Sequence, residues 1–501
     1  MTAIPETLAP LSTPIAGKPP APAGATGRLP VSTKLFYGVG TVAFGVKDNG
    51  FSYLLLIFYN QVIGLPGTLV GLALMIALVW DACIDPLIGQ LSDNLRSPWG
   101  RRHPFMYAAA APVALSYMAL WNPPHWDHQA LFYYLIVTAI VIRSFISFYE
   151  VPSSALAAEF SAGYDERSVL LSYRYFFGWI GGLALNFIAF FFLFRPDATH
   201  KVGQLNPVGY AHYGMVGAGV MFVAILISAA GTHRYIPTLM PPPPRRRLTL
   251  RQTAGEMAET LSNRSFLFLL LSGIATAMAA GLGTSLNNYF NTFFWGFSAR
   301  QISLFTAGVF LSAIIALPAA PMLSRRFGKR ATAMVLMVAA VAVGITPLLL
   351  RLAGLMPPNH SLALVVVIFC TSIIGTAFGI VSSTMLSSMI ADVVEASELK
   401  TGRRSEGLFF AASAFIGKAV SGFGILAAAT IVELIHLNPG ATPASVPPEV
   451  VRHLALVYCP VIIGLYAAGL LLLTGYKITR ASHRETLEQL AAEAEEALHP
   501  A

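Results

Sequence analysis

Charge is scarce in this chain. Asp, Glu, Lys and Arg make up 11% of its 501 residues, against about 25% in a typical soluble domain, which argues against an ordinary water-soluble fold. Cysteine is scarcer still. Cys83, Cys370 and Cys459 all fall within apolar stretches, so neither a disulfide framework nor a cysteine metal site is expected. The 11 histidines show no ligand spacing. With no metal cluster, nucleophile motif or phosphate-binding loop in the sequence, no metal and no cofactor are expected and enzyme chemistry has no support. The first 34 residues are rich in Pro and Ala and lack a hydrophobic signal core. The first apolar span must therefore do the targeting, and no cleavage is expected.

Apolar residues, by contrast, make up 55% of the chain. They gather into twelve stretches of about 20 residues or more, each enough to cross the hydrocarbon core. These run over 36–62, 69–91, 104–121, 130–157, 169–194, 209–231, 265–291, 302–324, 331–353, 362–390, 408–434 and 454–475. Backbone polar groups must be paired in lipid, so spans of this length without strand alternation are expected to be helices. The formal net charge of +8 invites a nucleic acid partner, but its distribution reports topology instead. Of the 32 lysines and arginines, 23 lie in the N-terminus, the loops after even-numbered spans and the tail; 5 lie in or at the edge of the opposite loops and 4 deep inside spans. This bias places both termini in the cytoplasm. An integral membrane protein is expected, in a bacterial inner membrane by its Ala-, Pro- and Arg-rich usage, with the lipid bilayer but no nucleic acid as partner.

The longest polar connection, 232–264, contains PPPPRRRLTLRQTAGEMAETLSNRS. A proline run cannot continue a helix, and its arginines hold the segment at the membrane face. It divides the spans six and six. The expected organisation is a disordered N-terminus (1–34), a six-helix bundle (35–231), a linker (232–264), a second bundle (265–476) and a tail (477–501). The halves echo one another. GQLSDNLRSPWGRRHPF follows the second span and PMLSRRFGKRAT the eighth; SSALAAEFSAGYDERS follows the fourth and SSMIADVVEASELKTGRRS the tenth. The fold expected is therefore an all-α membrane protein of twelve transmembrane helices in two pseudo-symmetric halves, a common transporter design.

Eight charged residues fall deep inside the spans, away from their ends: Lys47, Asp48, Asp81, Asp85, Arg143, Glu150, Arg174 and Lys418. A charge at the bilayer centre costs roughly 2.5–3.5 kcal/mol on insertion scales, so such residues face a partner or a cavity. Asp81 and Asp85 are four apart and share a helical face; Arg143 and Glu150, seven apart, also share one and could pair. One reading makes the set structural ion pairs. The other makes it the lining of a polar cavity, favoured because seven of the eight lie in the first half. Two neighbouring carboxylates could hold a proton or a monovalent cation and release it when the cavity opens to the other side.

In order and spacing, the motifs KLFYGVG and VKDNG in the first span, WDACIDPLIG in the second and RSPWGRRHPF after it are specific. So are YEVPSSALAAEF in the fourth, SYRYFFGWIGG in the fifth, and ADVVEASELKTGRRSEG with IGKAVSG around the eleventh. From about Lys34 to Tyr476 the chain resembles the major facilitator superfamily and, within it, the glycoside–pentoside–hexuronide:cation symporters, the group of melibiose permease. The resemblance implies that Asp81 and Asp85 bind the coupling cation with help from Ser147. It implies that Asp48 and Glu150 hydrogen-bond a sugar, with Arg174 as a further partner and Lys418 near both sites. Three positions depart from the pattern. Ile84 replaces an asparagine ligand beside the second aspartate, which favours H+ over Na+. Ser154 replaces a sugar-stacking tryptophan, for which Tyr149, Trp179, Tyr289 or Trp295 could substitute. Arg143 has no counterpart; it could clamp Glu150 or recognise an anionic substrate.

Asn287, Asn288 and Asn291 could read substrate hydroxyls or bond between helices. Asp93, Gly100, Arg101 and Arg102 after the second span, and Asp392, Glu395, Arg403, Arg404 and Glu406 between the tenth and eleventh, resemble conformational latches, with His103 as a further part of the first. The function expected is symport of a sugar or glycoside with a cation by alternating access, the carrier working as a monomer and its ion-free form being held back. The alternatives are a carrier of lysolipid or another amphipathic or anionic solute, and a non-transporting sensor or assembly factor on the same scaffold.

Overall fold

The computed structural model describes residues 29–160, 164–239, 264–401 and 406–476, with a few scattered positions in the tail. These residues form twelve long helical spans and, among the described residues, no strand. In chain order they are α1 (31–62), α2 (Gly67–Asn94), α3 (His103–Leu120), α4 (His128–Phe160), α5 (164–193) and α6 (Pro207–His233). The second half supplies α7 (Arg264–Phe294), α8 (Ala299–Phe327), α9 (Lys329–Leu352), α10 (Leu362–Thr401), α11 (Glu406–Leu434) and α12 (Pro448–Leu473). Ten of these are long and apolar enough to cross a membrane by length and composition. The other two are α3, of 18 residues, and α1, which π-turns interrupt. Residues 31–34, expected in the disordered terminus, form the first turn of α1. Lys34 anchors it, 2.8 Å from Glu166 of α5.

The two halves repeat each other in detail. Both α1 and α7 end in a π-turn, Phe58–Val62 and Phe290–Phe294, followed by glycines at φ +92° and +65°, Gly64 and Gly296. A side chain would be strained at these angles, so glycine is what lets each helix stop there. The backbone bonds match too: Leu65 N donates to Tyr59 O at 2.9 Å, and Phe297 N to Asn291 O at 2.8 Å. The basic turns before α3 and α9 carry Gly100 and Gly328 at φ +70° and +81°.

Lipid supplies no hydrophobic drive for helix association, so close packing of small residues must do the work. In the first half Gly45 of α1 lies directly on Gly178 and Gly182 of α5; in the second, Gly281 of α7 meets Ser421 and Gly424 of α11. Between the halves, α2 packs on α11 where Gly71 meets Leu426 and Ala429, and where Gly422 meets Met75 and Leu78.

Polar contacts across the halves cluster on the side away from the termini, the loop side. A π-turn in α1, Gly50–Leu54, disturbs the helical bonding, and carbonyls along this irregular stretch take bonds from α7. Asn288 Nδ2 donates to Tyr53 O at 2.6 Å, and Tyr289 Oη lies 2.9 Å from Asn60 Oδ1. Gln204 Nε2 donates to Phe297 O at 2.9 Å, and Thr68 N to Glu433 Oε2 at 3.1 Å. The halves are thus sealed together on the loop side.

Candidate functional site

The intramembrane charges meet in one layer between α1, α2, α4, α5 and α11. Two of the helices bend the local bonding around it. Pro86 follows Asp85, and Pro152 follows Glu150 by two; lacking an N–H, each deprives the carbonyl four residues earlier of its helical donor. Asp81 is buried, its side chain 3% exposed. Arg143 Nη1 donates to its Oδ2 at 2.9 Å, and Ser147 Oγ lies 3.4 Å from its Oδ1. Ser147 Oγ also donates to Asp85 Oδ1 at 2.5 Å. The other oxygen of Asp85 accepts from Lys418 Nζ of α11 at 2.5 Å, and the same ammonium stands 3.4 Å from Asp81 Oδ2. An ion pair therefore joins the two halves at mid-span. Lys418 and Asp85 keep 31% and 27% of their side chains exposed.

Arg143 corrects the expected pairing. It does not clamp Glu150 but turns to α2, held over the Phe51 ring at 4.6 Å and against Asp81. Glu150 instead takes the guanidinium of Arg174, whose other nitrogen donates to Ser153 Oγ at 2.7 Å. The second Glu150 oxygen, Oε2, is buried and accepts nothing from the described chain. Asp48 has a side chain 56% exposed, and buried Lys47 stands 3.9 Å from it. Asn287 is exposed and accepts from Asn291 at 3.0 Å, while Asn288 is buried in the loop-side seal. Of the four aromatics that could replace the missing stacking residue, Tyr149, Tyr289 and Trp295 are buried and Trp179 is 47% exposed.

Near the terminal side each half carries its own charge lock. In the first, Arg102 reaches Asp93 at 2.5 Å and Glu159 at 3.0 Å, Arg101 reaches Glu159 at 2.6 Å, and Arg102 also donates to Ser92 Oγ at 2.8 Å. His103 lies beside this lock, 3.0 Å from Thr232 Oγ1. In the second, Lys329 donates to Asp392 at 2.5 Å, and Tyr476 Oη stands 3.4 Å from the same carboxylate. Glu395 lies one turn on from Asp392 in α10, and Glu406 opens α11. Arg403 and Arg404 lie outside the described residues. Glu159 and Lys329 were missed as functional candidates. Both stand in the echoed motifs, so aligning the two halves residue by residue would have found them.

Two six-helix halves around a charged layer, sealed on one side, define a transporter of the major facilitator type and not an enzyme. Over residues 36–480 the chain matches the family described as MFS/sugar transport protein, and it belongs to that family. An uncharacterized symporter of Synechocystis sp. is 26% identical over 93% of this chain and 97% of its own length. A putative glycoside/cation symporter of Escherichia coli is 25% identical with the same coverages of 93% and 97%. The sodium-dependent lysophosphatidylcholine symporter 1 of Gallus gallus is 25% identical over 92% of this chain and 89% of its own. Among solved structures, the inward open conformation of the xylose transporter XylE from E. coli shares the fold. Its TM-score is 0.59 at 14% identity, covering 92% of this chain and 99% of that one.

Proposed function

We propose that the protein carries a sugar or glycoside across the membrane together with a proton, by alternating access, with both termini in the cytoplasm. The observation that carries this reading is the Asp85–Lys418 pair, which couples a partly exposed carboxylate of one half to an ammonium of the other. Asp81, held by a buried guanidinium, is a poor ligand for an added metal cation, since Arg143 already supplies its counter-charge. Asp85 is the acid left to exchange. A proton needs one carboxylate, whereas Na+ needs several oxygens to replace its water.

The expectation that an ion-free carrier is held back assumed uncompensated carboxylates, and the geometry supports a different order. Asp81, Asp85, Arg143 and Lys418 sum to zero charge, so the empty carrier can close. A proton on Asp85 ends its charge-assisted bond with Lys418 and leaves one uncompensated cation, which is costly to seal from water. That form closes once substrate oxygens take the hydrogen bonds that Lys418 has lost. We assign Asp48 and the buried, unpartnered oxygen of Glu150 to substrate hydroxyls, with Trp179 as an exposed aromatic for a sugar face. A lysolipid would need a cation for its phosphate; Arg143 is committed to Asp81, which weighs against that reading. A non-transporting scaffold has no use for exposed charges at mid-span.

The test is substrate-induced alkalinisation of weakly buffered, de-energised cells given glycosides, pentosides, uronides and lysolipids. Alkalinisation with a sugar, lost in Asp85→Asn, is the expected result. Uptake that requires added sodium overturns the proton, and a response to lysolipid alone overturns the sugar.

A further inference from the structure

Just beyond Asp48, whose side chain is 56% exposed, α1 leaves the regular helical path. Residues Gly50–Leu54 form a π-turn in which Leu55 N donates to Gly50 O, five residues back. On an unbroken α-helix two residues five apart, such as Asp48 and Tyr53, point about 140° away from each other. A π-turn stacks residues five apart and so returns Tyr53 towards the face of Asp48. The charge of the Asp48 carboxylate bears on the Tyr53 phenol, and the Tyr53 side chain is only half-buried. From one residue to the other the helix climbs about 7 Å towards the loop side.

Buried tyrosines of the first half use their hydroxyls inside the bundle. Tyr59 donates to Leu120 O at 2.9 Å, Tyr117 to Tyr213 Oη at 3.1 Å, and Tyr149 to Ser228 Oγ at 2.9 Å. The Tyr53 hydroxyl bonds to none of the described residues, and its ring stacks on no described aromatic. Its backbone, by contrast, is fixed from the other half, where Asn288 Nδ2 of α7 donates to Tyr53 O at 2.6 Å. A ring held beside a carboxylate, with its hydroxyl unused, suits a sugar. The flat face covers the C–H side of a pyranose while the hydroxyl donates to a sugar oxygen. Ionised Asp48 and Glu150 accept hydrogen bonds and donate none, so the acids do not supply this donor. We propose that Tyr53 is a substrate-contacting residue of this carrier, roofing the sugar on the loop side and setting which sugars fit. It takes the part of the stacking aromatic that Ser154 lacks. The bond from Asn288 ties the roof to the loop-side seal, so opening that side loosens it. The role depends on the cargo being a sugar.

The experiment titrates the purified full-length protein with p-nitrophenyl glycosides in a calorimeter and takes the tightest as the probe. The set holds the α- and β-glucosides, the α- and β-galactosides, the β-xyloside and the β-glucuronide. Tyr53→Phe keeps the ring and loses the hydroxyl, and should weaken the probe about fivefold. Tyr53→Leu loses both and should weaken it about fiftyfold. The unfolding midpoint of the sugar-free protein should stay where it is in Tyr53→Phe, because that hydroxyl holds nothing inside the bundle. Undiminished binding in both variants overturns the assignment and leaves the sugar reading standing. Normal binding in Tyr53→Phe, with weaker binding and a lowered midpoint in Tyr53→Leu, also overturns it, in favour of a packing role. Failure of every glycoside to bind the unmodified protein overturns the sugar reading and the assignment together.

Discussion

The two halves are built alike and charged differently. Both end their first helix in the same π-turn and glycine, both pack their first helix on their fifth through small residues, and both hold a basic turn against an acid near the terminal side. Yet the first half holds seven of the eight intramembrane charges and the second only Lys418. The repeat is a property of the scaffold, which any carrier that rocks two bundles requires. On the proposed reading, the charge belongs to one bundle because coupling needs a compact acid–base cluster, and a single ammonium from the other bundle lets it respond to their separation.

This comparison can be broken most directly at Asp85. Asp85→Asn should abolish uphill accumulation while leaving downhill exchange of substrate; an unchanged accumulation ratio in vesicles would remove the cluster from coupling. Next in size is Arg143→Met. It leaves buried Asp81 only the longer contacts of Lys418 and Ser147, so up to about 3–5 kcal/mol of stability should be lost, read by thermal unfolding in detergent. Adding Asp81→Asn should recover most of it, because the two residues are partners. The terminal-side locks allow a like-for-like test. Among the described residues Glu159 accepts from two guanidiniums and Asp392 from Lys329, so Glu159→Gln and Asp392→Asn should each shift the opening equilibrium, by about 1–3 kcal/mol. Spin-label distances across the terminal side would read each shift. On the loop side, Asn288→Ala removes one interhelical bond, worth about 0.6 kcal/mol, and should open that face about threefold, visible in cysteine accessibility.

The smallest effect concerns the loop before α6. There Asp197 accepts the backbone N–H of His200, and the N–H and hydroxyl of Thr199, and these bonds hold its carboxyl below the usual carboxylate range. The folded value lies below the unfolded one, so its contribution to loop order is present above the unfolded value near 4 and is lost as pH falls through the folded value. Amide exchange in 197–206 should be protected alike at pH 7 and pH 5, and should lose protection below about pH 4.

Much of this was legible in the chain. Twelve apolar stretches, the proline-rich linker and the echoed turns carry the fold, because lipid leaves the backbone no alternative to helix. The pairing of Asp81 with Asp85 on one face follows from helical spacing, and Ser147 stands against both. The partners of Arg143 and Glu150 were not legible. Seven residues apart on one helix, they could as well have met each other; instead α2 and α5 offer each a closer opposite charge. Nor could spacing alone say that Asn288 belongs to the loop-side seal and Asn287 to an exposed face, since that depends on how α7 is rotated against α1.

By itself, then, the sequence determined the helices, their number and the layer in which charge would lie, since these rest on local hydropathy and period. The tertiary structure decided which charge meets which, because ion pairing depends on distances between helices far apart in the chain. It put Lys418 on Asp85 across 333 residues, a contact that ties one half of the molecule to the other.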